Sequence, residues 1–151
     1  MDAGQRILNL LYEYAERIDT GDLDGAASLF AHARLRIGSG DDEVVDSVGL
    51  LAFWKSMIKL HPDGTPRTKH LITNPLVEID ADGTATCRSY YSVLQQTDDL
   101  PLQVIAAGRY HDWFECVDDE WRFRFRDYTL LDFAGNLSHH LNHDPDAAPR
   151  Q

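Results

Sequence analysis

The chain divides into a helix-rich first part and a strand-rich second part, and this order limits the folds that it can adopt. Apolar residues near the start recur at spacings of three and four, the period of an amphipathic helix. From Arg67 the pattern changes to long strand-like segments, separated by short turns of Asp, Gly and Pro. Helices followed by consecutive strands predict an α+β fold, in which three helices cover the concave face of one strongly curved antiparallel sheet.

Caps and breakers give the boundaries of these elements. The three helices are predicted over residues 5–19, over a short stretch after Asp22, and from Ser47 until Pro62. Residues 34–38 have the pattern of a short strand, and residues 43–46 are either a second short strand or a loop. Long strands are predicted over residues 67–80, 84–97, 102–117 and 121–133. We expect a single domain over residues 1–143 and a disordered tail over residues 144–151.

The charge of the chain argues against several partners. The formal net charge is -11 at pH 7, whereas binding to nucleic acid or to anionic membranes requires a basic surface. No apolar run is long enough to span a bilayer, and the first residues lack the pattern of a signal peptide. We therefore expect a cytoplasmic protein that binds neither nucleic acid nor membranes.

The sequence also contains no clear signal for a cofactor or a metal. There is no glycine-rich phosphate loop. His139, His140 and His143 include a helical ligand spacing, but they lie near the predicted tail and no cysteine or acid set accompanies them. We predict neither a cofactor nor a metal site.

Asp19 is the most informative residue. It continues the apolar stripe of the first helix through Leu11 and Ala15, at the end where the helix dipole disfavours an anion. A partly buried carboxylate also loses solvation unless a positive or hydrogen-bonding group meets it. His70 is the obvious partner, since an acid that orients a histidine is a common proton-transfer pair. The alternative is a buried hydrogen bond that only ties the first helix to the sheet.

His70 can face the interior only if its strand is irregular. Val77 and Ile79 place the odd positions inward, so strict alternation would turn His70 outward. Pro75 cannot donate to a sheet ladder and commonly marks a bulge. We therefore predict a β-bulge at Asn74 and Pro75 that returns His70 to the interior.

Aromatic residues near this pair are candidates for substrate binding, with plain core packing as the alternative for each. They are Tyr14, Trp54, Tyr90, Tyr110 and Phe133. Three arginines, Arg122, Arg124 and Arg126, share one face of the last predicted strand. We expect that face to meet solvent or a second subunit, and an anion-binding Arg126 is the alternative.

Short motifs in this order resemble the SnoaL-like branch of the nuclear transport factor 2-like superfamily. They are RIDTGD at residues 17–22, TKHLITN at 68–74, and the closing hairpin with GRY at 108–110 and WRF at 121–123. The resemblance implies a cone-shaped fold around a cavity. Scytalone dehydratase and hexachlorocyclohexane dehydrochlorinase, two enzymes of this branch, carry an acid and a histidine at the positions that Asp19 and His70 match. In the dehydrochlorinase they act as a dyad, with the histidine as base.

Other site residues of scytalone dehydratase have no counterpart here. Ile18 stands where a tyrosine would precede the acid, and Gln95 or Gln96 falls where a second histidine would be. Gly108 and Tyr110 fall where that enzyme has a serine and an asparagine. The resemblance therefore supports a dyad in a cavity, and it does not support scytalone as the substrate.

These observations lead to one main hypothesis and two alternatives. The first is a cofactor-independent dehydratase or related elimination or isomerisation enzyme, acting on a small hydrophobic cyclic substrate through His70 and Asp19. The second is a non-catalytic module that binds a small ligand or a protein. The third is a small (beta) subunit of a ring-hydroxylating oxygenase, a role that this fold also has. Because members commonly dimerise through the outer sheet face, the resemblance also implies a homodimer.

Overall fold

The computed structural model describes residues 1–142, in which three helices pack against a curved sheet of seven strands. The tail predicted over residues 144–151 lies outside the described residues. The helices are α1 (Ala3–Asp19), α2 (Leu23–Ser28) and α3 (Ser47–Met57). The strands are β1 (Arg34–Arg36), β2 (Val44–Val45), β3 (Thr68–Ile79), β4 (Thr84–Thr97), β5 (Leu100–Val117), β6 (Glu120–Asp127) and β7 (Leu131–Ala134). No helix within residues 1–142 is long and apolar enough to cross a membrane.

Aspartate side chains begin all three helices. Asp2, Asp22 and Asp46 each accept a hydrogen bond from the backbone N–H three residues later. The cap of α3 is thus Asp46, and Ser47, which the sequence suggested as the cap, is the first helical residue.

The end of α1 packs tightly against the loop that leads into β3. Gly21 has a φ of 82°, and a Cβ at this position would lie 2.0 Å from the carbonyl oxygen of Gly64. Only glycine permits both this conformation and this approach. The contact holds the C-terminal end of α1, and with it Asp19, beside the first residues of β3.

The sheet is antiparallel except near one edge. The strand order is β2-β1-β6-β5-β4-β3, and β1 runs parallel to β6. The sheet is therefore mixed and not antiparallel throughout. The helices cover one face, where Ile7, Leu11 and Ile18 of α1 share a core with Phe114 and Phe123 of the sheet.

The last predicted strand, over residues 121–133, is two strands. β6 pairs with the second half of β5, and β7 pairs with β5 at Ala106, Ala107 and Gly108. Between them, the carboxylate of Asp127 accepts hydrogen bonds from the backbone N–H (2.8 Å) and the hydroxyl (2.6 Å) of Thr129. This local turn interrupts the ladder, so both strands border the same edge of β5.

A β-bulge in β3 turns His70 inward. The pairing with β4 shifts between Thr73 and Leu76, and Asn74 has a φ of 40°. Even positions are the more buried ones before this shift, and odd positions after it. The bulge that the sequence predicted is therefore confirmed, because an extra residue reverses the alternation of the strand.

A second bulge, in β6, changes the direction in which the side chain of Arg126 points. Phe125 pairs with Trp113, but Phe123 pairs with Phe114, so Arg124 is the extra residue. Arg124 is exposed, whereas Arg126 is 0% exposed. The prediction that Arg126 meets solvent or a second subunit is therefore wrong, since the bulge turns this side chain into the core.

Candidate active site

The carboxylate of Asp19 and the imidazole of His70 meet where α1 packs on β3. The Nδ1 atom of His70 lies 2.6 Å from Oδ1 of Asp19. Both side chains are 7% exposed, so little water competes for this hydrogen bond. The fold thus brings together the two residues that the sequence analysis paired.

β3 surrounds the Asp19 carboxylate with hydrogen-bond donors. The hydroxyl of Thr68 donates to Oδ1 (2.8 Å), and the backbone N–H of His70 donates to Oδ2 (2.8 Å). Together with the imidazole, three donors compensate an anion that the helix end disfavours. An ionised carboxylate only accepts, so Nδ1 of His70 carries the shared hydrogen. In the neutral ring, Nε2 then carries a lone pair that can accept a hydrogen bond. Nε2 has no hydrogen-bond partner within residues 1–142.

A cavity of about 420 Å³ lies beside His70, between the helices and the sheet. Its walls are mostly apolar, which suits a ligand of one or two rings. Aliphatic lining residues include Leu50, Met57, Val93, Leu131 and Leu137.

Three of the five predicted aromatic residues line this cavity, and two do not. Tyr14, Trp54 and Tyr110 are part of the wall. Tyr90 is 55% exposed and Phe133 is 76% exposed, so neither faces the cavity, and their predicted positions are wrong. In β4 the odd positions face inward, which turns Tyr90 to the outer side of the sheet. In β7 the cavity-lining residue is Leu131.

Two tyrosines that the sequence analysis did not select, Tyr91 and Tyr128, complete the aromatic wall. The Tyr91 ring stacks on Tyr110 with centroids 4.4 Å apart. It lies across Gly108, its partner residue on β5, where a Cβ would stand 2.6 Å from the Tyr91 hydroxyl. The apolar residues Cys87 and Val93 were the sequence signal that could have identified Tyr91, because they share its parity on β4 and are buried in the structure.

The hydroxyls of this wall stay protonated at neutral pH. Burial raises the pKa of Tyr91 to about 12. Burial also raises the pKa values of Tyr110 and Tyr128 well above their ordinary value, and the neighbouring Tyr14 acts in the same direction. These groups can therefore donate hydrogen bonds to a ligand oxygen, but they cannot serve as bases.

A second acid–base pair lies behind the aromatic wall. Arg126 donates from Nε to Oδ1 of Asp112 (2.6 Å) and from Nη2 to Oδ2 (3.0 Å). Its guanidinium also lies 3.9 Å from the ring centroid of Tyr110 and 4.5 Å from that of Tyr14. Burial alone would lower the pKa of Arg126, but the Asp112 carboxylate together with the neighbouring Tyr128 and Tyr110 outweighs this effect and holds the pKa well above its ordinary value. The pair fixes the wall from behind and does not reach the cavity.

The histidines near the end of the described chain have separate positions. His140 lines the cavity, with its ring centroid 6.5 Å from that of His70. His139 bonds to the hydroxyl of Thr97 through Nδ1 (3.0 Å), and His143 lies outside the described residues. Among residues 1–142, no group of three His, Cys, Asp or Glu side chains is placed to hold a metal ion.

Comparisons with known proteins agree with this architecture. The model of the SnoaL-like domain family matches residues 2–127, and no curated protein matches the chain. A protein of unknown function from Mycobacterium tuberculosis is 26% identical, with a TM-score of 0.64 over 85% of this chain and 70% of that one. A nuclear transport factor 2-like protein with a cystatin-like fold from Novosphingobium aromaticivorans is 16% identical, with a TM-score of 0.65 over 82% and 78%. A candidate scytalone dehydratase from the same organism is 19% identical, with a TM-score of 0.60 over 85% and 83%. The fold is thus the cone-shaped α+β fold of the nuclear transport factor 2-like superfamily.

Proposed function

The chain belongs to the SnoaL-like domain family, and on this premise we propose that it is a cofactor-independent lyase-like enzyme. Its reaction would be a dehydration, or a related elimination or isomerisation, of a small hydrophobic cyclic substrate. The observation that carries the proposal is the 2.6 Å hydrogen bond between Asp19 and His70 at the wall of an apolar cavity.

The pair has the geometry of a general base. Nε2 of His70 takes a proton from a substrate carbon, the C–H electrons form the new double bond, and the leaving group departs with the electrons of its own bond. Asp19 stabilises the imidazolium that forms and keeps the ring in one tautomer. When the leaving group is a hydroxyl, the imidazolium returns the proton to it, water is released and His70 is neutral again. A positioned base of this kind contributes roughly a hundred- to ten-thousandfold in rate.

The aromatic wall supports the same chemistry. The hydroxyls of Tyr91, Tyr110 and Tyr128 are neutral donors, and such donors stabilise negative charge that develops on a substrate oxygen. The enclosed apolar surroundings strengthen these hydrogen bonds, because little water competes with them.

The non-catalytic alternatives have less support. Neither a ligand-binding module nor an oxygenase subunit requires a carboxylate that orients a histidine at the wall of a cavity. A filled interior with Asp19 far from His70 would have favoured either of them, and the observed separation and cavity volume do not.

The test is a screen of cyclic alcohols and halides for elimination, with product detection by mass spectrometry. We expect the wild type to convert at least one compound class, and His70→Gln to reduce the rate by a factor of about 100 to 10,000. His32→Gln, which changes an exposed histidine, is the matched control and should retain the activity. Equal rates for the two variants would contradict the proposal, and a protein that binds these compounds without converting them would favour the ligand-binding alternative.

We also propose that the outer face of the sheet mediates a homodimer. Leu102, Val104 and Trp113 of β5 are 66%, 54% and 42% exposed, and large apolar side chains exposed along one strand are typical of a protein contact. Sedimentation equilibrium should give the mass of two chains, and Val104→Glu should shift the distribution toward one chain. A wild type that sediments as a single chain would refute this arrangement.

A further inference from the structure

A short segment at the end of the described chain, residues 137–142, closes one side of the cavity. We call it the closing segment. The carbonyl oxygen of His140 accepts a hydrogen bond from the backbone N–H of Lys59 (2.8 Å), and the N–H of Asn142 donates to the carbonyl of Met57 (2.7 Å). Gln95 of β4 donates to the carbonyl of His139 (2.9 Å). These bonds fix the backbone on both sides of His140, so the direction of its side chain is set by the fold.

The imidazole of His140 lacks the partners that a buried polar group normally has. Nδ1 is closed off from solvent and makes no hydrogen bond within residues 1–142. Leu137 and Leu141, its neighbours in the closing segment, also line the cavity, which shows that apolar residues suit this wall. An unsatisfied buried nitrogen is costly, so a histidine in this position needs an explanation beyond packing.

His140 faces the proposed catalytic pair directly. Its ring centroid lies 6.5 Å from that of His70, with an angle of 67° between the rings. Because Nδ1 is closed off, Nε2 is the nitrogen through which His140 can reach a ligand. A centroid separation of 6.5 Å is compatible with one oxygen atom hydrogen-bonded to a nitrogen of each ring.

The charge state of His140 limits its role. Burial lowers the pKa of His140 to about 4, and the nearby His70 and His61 act in the same direction, while Asp19 opposes them. At neutral pH the ring is therefore neutral. When the buried Nδ1 carries the lone pair of the neutral ring, the hydrogen is on Nε2, which can donate a hydrogen bond to a ligand in the cavity. A neutral donor binds an oxygen without adding charge to the apolar wall.

We propose that His140 binds a substrate hydroxyl, which donates its hydrogen to Nε2 of His70 and accepts one from Nε2 of His140. This proposal rests on the proposed function and specifies its substrate class as a cyclic alcohol. A hydroxyl can donate and accept at once, whereas a carbonyl, an ether or a halide can only accept and cannot satisfy the lone pair on His70. In a dehydration, Nε2 of His70 gives up this hydrogen bond and takes the proton of the neighbouring carbon, and the C–H electrons form the double bond. The C–O bond breaks, the departing oxygen takes that proton from His70, and His140 keeps its own proton throughout.

The test compares matched ligands of the same shape. 1-Indanol, 1-indanone and indane are titrated into the full chain, and the dissociation constants are read from NMR shifts, including the ¹⁵N shifts of the His70 and His140 rings. We expect 1-indanol to bind about tenfold more tightly than indane, the combined net effect of its two buried hydrogen bonds. We expect 1-indanone to show little of this gain, and only the alcohol to shift the ring nitrogens of both histidines.

Variants of His140 locate the effect. His140→Phe should keep the affinity for indane and reduce the preference for the alcohol, because only the hydrogen bond to His70 remains. His140→Gln, which retains an N–H donor, should restore part of the preference. His139→Gln is the matched control, because His139 belongs to the closing segment but does not line the cavity. It should behave as the wild type.

The outcomes separate this proposal from the proposed function. A wild type without preference for the alcohol, or a His140→Phe variant that retains the full preference of the wild type, would overturn the role of His140 even if elimination is observed. Alcohol preference that depends on His140, without any turnover, would support the binding role and count against the enzyme. If His140→Phe does not fold, the ¹⁵N shift of His140 in the wild type and the His140→Gln variant still decide the question.

Discussion

The interior contains two hydrogen-bonded pairs of a carboxylate and a basic side chain, and they differ in whether they can transfer a proton to a ligand. Asp19 and His70 are joined by a 2.6 Å hydrogen bond and keep 7% of each side chain exposed, at the wall of the cavity. Asp112 and Arg126 are joined by two hydrogen bonds and are 0% exposed. The first pair has a nitrogen left over for a ligand, and the second is closed on all sides.

Both pairs contain an aspartate, so the difference in function arises from the basic partner, which is His70 in one pair and Arg126 in the other. An imidazole gains and loses a proton near neutral pH, whereas a guanidinium beside a carboxylate stays charged. The histidine pair can therefore transfer a proton, and the arginine pair can only hold structure. Mutations of the two pairs should consequently affect different measurements.

The largest effect is expected from Asp19→Asn on catalysis. Without the carboxylate, the imidazolium loses its stabilising partner and the ring loses its tautomer preference, so the rate should fall by roughly 100- to 10,000-fold. Turnover of the best substrate from the screen measures the loss, and ¹⁵N spectra of His70 should show the proton no longer confined to Nδ1. Asp24→Asn, at an exposed acid of α2, serves as the control. Unchanged ¹⁵N shifts in Asp19→Asn would show that the two residues are not coupled.

The next effect is expected from Arg126→Met on stability. This change leaves the carboxylate of Asp112 buried without a partner, so the free energy of unfolding should fall by about 3–5 kcal/mol. The double change Arg126→Met with Asp112→Leu should recover much of the loss, because apolar replacements for both partners are far less costly. Urea denaturation measures both. A single variant as stable as the wild type would mean that the pair is not essential to the fold.

The sequence predicted the elements that hold the first pair better than it predicted those that hold the second. The extent of α1 to Asp19, the bounds of β4 and the bulge at Asn74 followed from local patterns, since caps, breakers and proline act on neighbouring residues. The approach of Asp19 to His70 followed from the misplaced charge at a helix end.

The residues that were missed depend on pairing partners that a local pattern does not reveal. Arg126 turned inward because β6 has a bulge opposite Trp113 and Phe114, and nothing in its own alternation marks that position. Tyr90 and Tyr91 are adjacent aromatic residues, so choosing between them required the phase of the whole strand. His140 lies in an irregular segment without periodicity, and its position results from hydrogen bonds to distant parts of the chain.

A smaller effect is expected from pH, through the neutral histidine beside the first pair. The pKa of His140 is about 4 in the folded chain, against an ordinary value of 6.5. Between these values the unfolded chain binds more protons, so stability falls as the pH decreases. From pH 7 to pH 5 this residue should cost about 2 kcal/mol, and His140→Gln should lose that part of the dependence. Urea denaturation at both pH values measures it, with His32→Gln as the control. Parallel pH dependences for the wild type and His140→Gln would contradict the assignment.

The smallest effect is expected from Thr68→Val, which sharpens the comparison at the acid of the first pair. The change removes one of three donors to Asp19 and keeps the shape of the side chain. We expect a loss of about 1–2 kcal/mol in the free energy of unfolding and a modest change in rate, because His70 still donates to Asp19. Thermal denaturation and turnover of the same substrate measure the two effects. A rate loss as large as that of Asp19→Asn would show that the hydroxyl takes part in the chemistry.

The contact between Gly108 and Tyr91 has a further consequence. The ring of Tyr91 can lie flat on β5 only because position 108 has no side chain, and a single methyl group there would meet the ring and the carbonyl oxygen of Leu130. The ring would then have to move off the strand, toward the cavity on which it borders. The volume of the cavity therefore depends on the lack of a side chain at Gly108, on β5, a strand that contributes neither Asp19 nor His70. Related chains could change the size of molecule they admit at this one position, while the acid–base pair stays as it is.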